Sequence, residues 1–151
     1  AQKDSYNVSS AADFKDTANK MMNMITLFIS AVAGISLVVG GVGIMNIMLV
    51  TVKERTREIG VRKALGADNG VILRQFLIEA LILTVIAGTI GMLIGYMGSV
   101  VIGSTYNIQA KLTIGMILFS VGTSTAIGLL FGVYPAYQAA RLDPVESLRD
   151  E

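Results

Sequence analysis

The apolar positions of this chain are gathered into three long runs, each without a single charged side chain. There are 32 uncharged residues between Lys20 and Lys53, 31 between Glu79 and Lys111, and 29 between Lys111 and Arg141. A helix rises 1.5 Å per residue and the hydrocarbon layer of a bilayer is about 30 Å thick, so roughly 20 apolar residues cross it. Each run is therefore long enough to form a transmembrane helix.

We place the three spans near residues 25–50, 76–101 and 113–134. A buried helix of a soluble protein is the alternative for any single run, since such helices are also apolar. Composition argues against it, because apolar residues make up 53% of the chain, charged residues 15%, and the mean hydropathy is +0.65. Three such runs leave few polar residues to cover a soluble bundle. The pattern predicts an all-α integral membrane protein with three transmembrane helices.

Basic residues in the loops predict the orientation of the spans. The loop between the first two spans holds six of them, whereas the loop 102–111 holds only Lys111; the six are Lys53, Arg55, Arg57, Arg62, Lys63 and Arg74. Because basic loops remain on the cytoplasmic side, residues 53–74 are expected inside. The segment before the first span is then outside, and the tail 138–151 is cytoplasmic.

The segment before the first span has the pattern of a helix. Ser10 and Asp13 are spaced as a helix-capping pair, and no glycine or proline occurs between Ala11 and Ala33. One helix could run from residue 11 to residue 50, with its first third forming a stalk outside the membrane. Residues 1–20 are accordingly assigned to the end of an extracytoplasmic region. A frayed terminus is the alternative.

Small residues at helical spacing mark the faces on which the spans could pack, because they let backbones approach closely in lipid. They allow either sliding and dimerisation or static packing within one bundle. The candidate packing residues are Gly40, Gly43 and Asn46 in the first span, Gly91 and Gly95 in the second, and Gly128 and Gly132 in the third.

Several kinds of chemistry are excluded by what the sequence lacks. It has no cysteine and no histidine, and no glycine loop ending in Lys followed by Ser or Thr that could hold ATP phosphates. The three uncharged runs carry no charged side chain for an ion or polar cargo, which argues against a secondary transporter. The net charge of +1 gives no indication of nucleic-acid binding. We therefore expect no catalytic residue, metal or cofactor in this chain.

The loop after the first span predicts a short surface helix. Glu58 and Arg62 are spaced to pair at i and i+4, Gly66 can end the helix in the left-handed conformation, and Asp68 can cap the next helix. A solvated loop, or one that binds anionic lipid headgroups, fits the same residues. The pattern alone leaves these alternatives open.

Two segments carry a resemblance. The segment 40–67, GGVGIMNIMLVTVKERTREIGVRKALGA, resembles the signature of the MacB-like permeases, members of the FtsX-like group of ABC transporters. The tail 134–149, YPAYQAARLDPVESLR, is similar to the usual C-terminus of that family. In it, Asp143 and Glu146 are spaced as a capping box around Pro144, which predicts a short helix there. The resemblance covers the chain from about Ser10 to its end.

The resemblance implies a four-span permease of a bacterial cytoplasmic membrane, in which a first span and an extracytoplasmic domain precede the three spans of this chain. It also implies a coupling helix that docks on an ABC ATPase, where ATP and Mg are bound. By position that helix corresponds to the loop 54–67, with the candidate contacts Glu54, Arg55, Arg57, Glu58, Ile59, Gly60, Arg62, Lys63, Leu65 and Gly66. A second permease copy, membrane lipid and an external adaptor protein are the other implied partners.

The function implied by the resemblance is mechanotransmission. Motion of the ATPase would pass through the coupling helix to the extracytoplasmic domain and expel drugs, peptides or similar cargo. The alternative is a permease-like regulator that activates an external cell-wall hydrolase or relays a signal without transport.

Overall fold

The chain is mostly helical in the part that its structure, a computed structural model, describes: residues 2–107, 109 and 111–149, with side chains from Ser10 onward. Five helices follow one another, and no strand occurs among these residues. They are α1 (Gln2–Glu54), α2 (Thr56–Ala64), α3 (Asn69–Tyr106), α4 (Ile114–Ala140) and α5 (Pro144–Arg149). The predicted all-α fold is confirmed.

Three of these helices are long and apolar enough to cross a membrane. Within the described residues they are Ser10–Glu54, Asn69–Tyr106 and Ile114–Ala140, and each contains one of the predicted spans. The chain is therefore a multi-pass membrane protein. The predicted helix cap at Ser10 is wrong, because α1 already begins at Gln2. No glycine or proline precedes Ser10, so nothing in the backbone stops the helix there.

The chain divides into two compact units, one ending at Val39 and one beginning at Gly40. The first unit consists of α1 residues alone. Some of its hydroxyl groups bond within the helix: Thr26 Oγ1 and Ser36 Oγ each donate to the carbonyl oxygen four residues earlier, at 2.9 Å. Such internal bonds reduce the cost of a hydroxyl in an apolar helix, because the donor does not stay unsatisfied.

The second unit contains one hydrophobic core, where the end of α1, the helix α2 and the long helices α3 and α4 meet. Ile72 and Phe76 of α3 are each 1% exposed, and Ala80, one turn further on, is fully buried. The other buried members of this core are Met48, Val52, Ile59, Ala136 and Ala139. The core thus lies at the end of the long helices next to α2, and it positions that helix.

Candidate functional site

The short helix α2 is almost continuous with α1. Arg55 alone separates them, with φ −96° and ψ 11°. Both backbone groups of this residue still make helical hydrogen bonds, since Arg55 N donates to Thr51 O and Ile59 N donates to Arg55 O, each at 3.0 Å. The predicted surface helix therefore exists, at Thr56–Ala64, and it begins as a bend at the end of α1.

The other end of α2 is closed by a Schellman motif. Ala67 N donates to Arg62 O and Gly66 N donates to Lys63 O, each at 3.0 Å, with Gly66 at φ +99°. Asp68 then starts α3, where its side chain accepts a hydrogen bond from Asn69 N at 2.8 Å. The predicted left-handed Gly66 and the predicted cap at Asp68 are both confirmed.

One face of α2 is buried against the rest of the second unit. Ile59 is 3% exposed and belongs to the hydrophobic core. Gly60 packs against α5, where a Cβ atom added to the glycine would lie 2.7 Å from Ser147 Cβ. The same face carries Lys63, whose ammonium donates to the carbonyl oxygens of Ala140 and Leu142. Ile59, Gly60 and Lys63 therefore all contact other parts of this chain.

Five side chains form a closed ring that fastens α2 to α3. Arg55 Nη1 donates to Glu79 Oε1 at 3.1 Å and its Nε donates to Glu58 Oε2 at 3.2 Å. Arg62 then bonds Glu58 Oε1 at 2.5 Å and Gln75 Oε1 at 2.6 Å. Gln75 Nε2 closes the ring by donating to Glu79 Oε1 at 3.3 Å. The predicted pair Glu58 and Arg62 is confirmed, as two members of a larger network.

Two pKa shifts follow from this ring. The hydrogen bond from Arg55, together with its positive charge, lowers the pKa of Glu58 below its ordinary value. The hydrogen bonds to Glu58 and Glu79 raise the pKa of Arg55 above its own. Arg55 also lies over the ring of Phe76, with 5.5 Å between the guanidinium carbon and the ring centroid. Glu58 and Arg55 are therefore both fully charged near neutral pH.

The opposite face of α2 is exposed. Arg57, Val61 and Leu65 are four residues apart and lie on one side of the helix, and Leu65 is 84% exposed. Glu54 and Arg57 also line a shallow groove on this side, together with Arg55, Glu58, Val61 and Arg62. We call Arg57, Val61 and Leu65 the outer face of α2. It combines an apolar anchor with a positive charge.

The predicted packing glycines fall into two groups. Gly128 meets Thr84 of α3, and an added Cβ at Gly132 would lie 2.6 Å from Ala80 Cβ. Gly40, Gly43, Gly91 and Gly95 have no other side chain of the described residues within 4 Å of the added atom. Asn46 is exposed. Of these seven residues, the structure thus brings only Gly128 and Gly132 into a contact between helices.

Several residues of the site are not evident from the sequence pattern. Gln75 and Glu79 of α3 complete the ring beside α2, Phe76 of α3 lies under Arg55, and Ser147 of α5 covers Gly60. On the long helices, Gly88 packs against Ser124 and Gly41 packs against Phe131. One signal could have indicated Glu79: a carboxylate in the third turn of an apolar helix requires a cationic partner.

The comparisons with known proteins agree with one another. Residues 24–144 match the family model described as FtsX-like permease C-terminal. The chain is 47% identical, over 98% of its length, to the uncharacterized ABC transporter permease YknZ of Bacillus subtilis (strain 168). It is 43% identical over its whole length to the macrolide export ATP-binding/permease protein MacB of Bdellovibrio bacteriovorus, and 46% identical over 98% to that of Syntrophobacter fumaroxidans. It spans 37%, 23% and 21% of these relatives.

Proposed function

Because this chain belongs to the FtsX-like permease family, we propose that it is the membrane part of an ABC exporter permease and that α2 transmits the motion of an ATPase partner. The observation that carries the proposal is the division of α2 into two faces. Its inner face is fastened to α3, α4 and α5, whereas Arg57, Val61 and Leu65 are exposed and can meet another protein. A helix built this way passes a force applied from outside into the long helices.

The chemistry of the outer face fits a protein partner. An exposed leucine beside an arginine is typical of an interface anchor, in which a buried apolar contact is oriented by a charge. We propose that the ATPase offers an apolar pocket for Leu65 and an acidic group for Arg57. ATP and Mg are bound on that partner, and this chain contributes only the docking surface.

The basic residues around α2 support the proposed orientation. Lys53, Arg57 and Arg74 are exposed near the ends of the apolar helices, and basic loops stay in the cytoplasm. We propose that α2 and α5 face the cytoplasm of a bacterial cell and that α1 leaves the membrane on the outer side. Motion would then reach the outside through α1, and a second permease copy and an external adaptor would complete the exporter.

The cargo is proposed only as a class. Two of the relatives described above are named macrolide export proteins. The apolar runs of this chain hold no charged group that would bind a polar cargo within the membrane. We therefore propose drugs, peptides or similar molecules that are expelled by motion outside the membrane.

The test of the docking surface uses the full-length permease co-expressed with its ATPase subunit. Leu65→Ala and Arg57→Glu should each weaken co-purification of the ATPase on the order of tenfold, as expected for an interface anchor worth about 1–2 kcal/mol. Matched controls are Val145→Ala and Arg149→Glu, exposed residues of the same kinds on α5. Parental co-purification in both outer-face variants would remove α2 from the proposed role.

A further inference from the structure

Lys63 occupies an unusual position for a lysine in a charged surface helix. Its side chain is half-buried and its ammonium donates to two backbone carbonyls, those of Ala140 and Leu142, the latter at 2.7 Å. Ala140 is the last residue of α4, and the final carbonyls of a helix have no partner within it. A cation placed there satisfies them and interacts favourably with the helix dipole. Lys63 therefore caps the C-terminal end of α4.

This contact is long range. Lys63 and its two acceptors are separated by 77 and 79 residues, with all of α3 between them in the sequence. An ammonium has three N–H donors, and two of them are directed at these carbonyls. Lys63 is thus committed to α4 and is poorly placed to meet an external partner.

A second contact joins α2 to the segment that follows α4. Gly60 allows α5 to approach, since an added Cβ would lie 2.7 Å from Ser147 Cβ and 3.6 Å from Pro144 O. Ser147 is 5% exposed, and its Oγ donates to Asp143 O at 2.6 Å. Asp143 in turn caps α5 by accepting from Val145 N at 2.9 Å. The turn between α4 and α5 is therefore bonded to α2 through Lys63 and to α5 through Asp143.

We propose that Lys63 is a positioning residue that joins α2, the C-terminal end of α4 and α5 into one rigid body. This inference rests on the proposed function of α2 and deepens it. A displacement of α2 is delivered directly to α4 through the cap at Lys63, in parallel with the route through the bend at Arg55 into α1. Motion of the one docking helix α2 thus reaches two long helices, α1 and α4.

The test measures the distance between α2 and α5 in the full-length permease. These 151 residues contain no cysteine, so spin labels can be placed at Ala64→Cys and Glu146→Cys, both exposed, once any cysteine elsewhere in the full-length permease is replaced. Distance distributions are recorded without nucleotide, with ATP and vanadate in the presence of the ATPase, and with no ATPase at all. If α2, the end of α4 and α5 move as one rigid body, the distance between the two labels has one narrow distribution that is the same under all three conditions.

Lys63→Met removes the donors and keeps the length of the side chain. It should broaden the distribution at least twofold, while Lys63→Arg restores the parental width and Lys111→Met leaves it unchanged. Gly60→Ala, which forces α5 away from α2, should broaden it independently of Lys63. Co-purification of the ATPase should stay at the parental level in all of these variants.

Two outcomes would overturn the inference: a parental distance that changes on nucleotide binding, or parental width in Lys63→Met. Because the measurement without ATPase reports rigidity alone, it remains decisive even if the outer-face variants show that α2 binds no ATPase.

Discussion

Arg55 Nη1 lies 3.1 Å from Glu79 Oε1, so the residue at the bend between α1 and α2 is bonded to the third turn of α3. Both side chains are about one-third exposed, at 30% and 36%. A pair in that position is partly screened by solvent and contributes modestly to stability. Its importance is geometric, because it fixes the direction in which α2 leaves α1.

The first prediction concerns this pair. Glu79→Gln should lower the free energy of unfolding of the permease by about 0.5–1 kcal/mol, since an ion pair becomes a neutral hydrogen bond at a partly exposed site. Glu54→Gln, which alters an exposed carboxylate one residue before Arg55, is the control and should have no effect. In a double-mutant cycle, Arg55→Met should cost less in the Glu79→Gln background than in the parent. Strict additivity would show that the two side chains do not interact.

The second prediction is a pH dependence of the position of α2. The pKa of Glu58 is lowered in the folded protein, so this residue contributes stability above the ordinary glutamate pKa of about 4.3 and loses it as the pH falls through the lower, folded value. The protection factors of the α2 amides, from which the intrinsic pH dependence of hydrogen exchange is removed, should therefore be independent of this group from about pH 8 to about pH 5 and should fall in more acidic solution. Glu58→Gln should abolish that acid step. A step centred above about pH 5 would contradict the assignment.

The third prediction tests the packing of α3 on α4. Gly132→Ala places a methyl group 2.6 Å from Ala80 Cβ, so it should destabilise the permease by about 1–3 kcal/mol through overpacking. Gly122→Ala is the matched control on the same helix, because its added methyl group meets no other side chain of the described residues. It should be neutral or stabilising by up to about 1 kcal/mol. Equal unfolding temperatures for the two variants would refute this packing.

The fourth prediction concerns the face of α3 that bears Gly91 and Gly95. Nothing in the described part of the chain covers these positions, and a second permease copy is their proposed neighbour. Gly95→Leu should leave the thermal stability of a single copy unchanged and reduce cross-linking between copies in native membranes severalfold. Gly115→Leu, equally open and at the start of α4, is the control. Undiminished cross-linking in Gly95→Leu would exclude this face from the contact between copies.

The sequence predicts the local features of this protein well, because they depend on neighbouring residues. The spans follow from length and hydropathy, and Gly66, Asp68 and Asp143 lie at helix ends whose geometry needs those residue types. The bond between Arg55 and Glu79 and the cap formed by Lys63 are different. They depend on how the helices cross, which the period of an apolar run does not encode. The sequence could therefore place a charged helix beside the membrane without revealing which of its charges face inward.

The small-residue stripes show the same limit. The stripe through Gly128 and Gly132 on α4 does meet α3, yet the matching face of α3 is formed by Ala80, Thr84 and Gly88. Gly91 and Gly95 lie further along the same side of α3, where no other side chain of the described residues comes within 4 Å of an added Cβ. Glycine marks where a backbone can be approached, and how far along such a stripe two helices stay in contact depends on the crossing angle, a property of the assembled helices.

The separation of α1 and α2 by the single residue Arg55 constrains the length of the chain at that point. Successive residues of a helix are rotated by about 100°, so a single residue inserted between Val52 and Arg57 would turn the exposed leucine and arginine of α2 toward the core. Adding seven residues, about two full turns, would turn these two side chains outward again and would move them roughly 10 Å along the helix axis. The number of residues between α1 and α2, as much as their side chains, therefore determines which face of α2 is exposed.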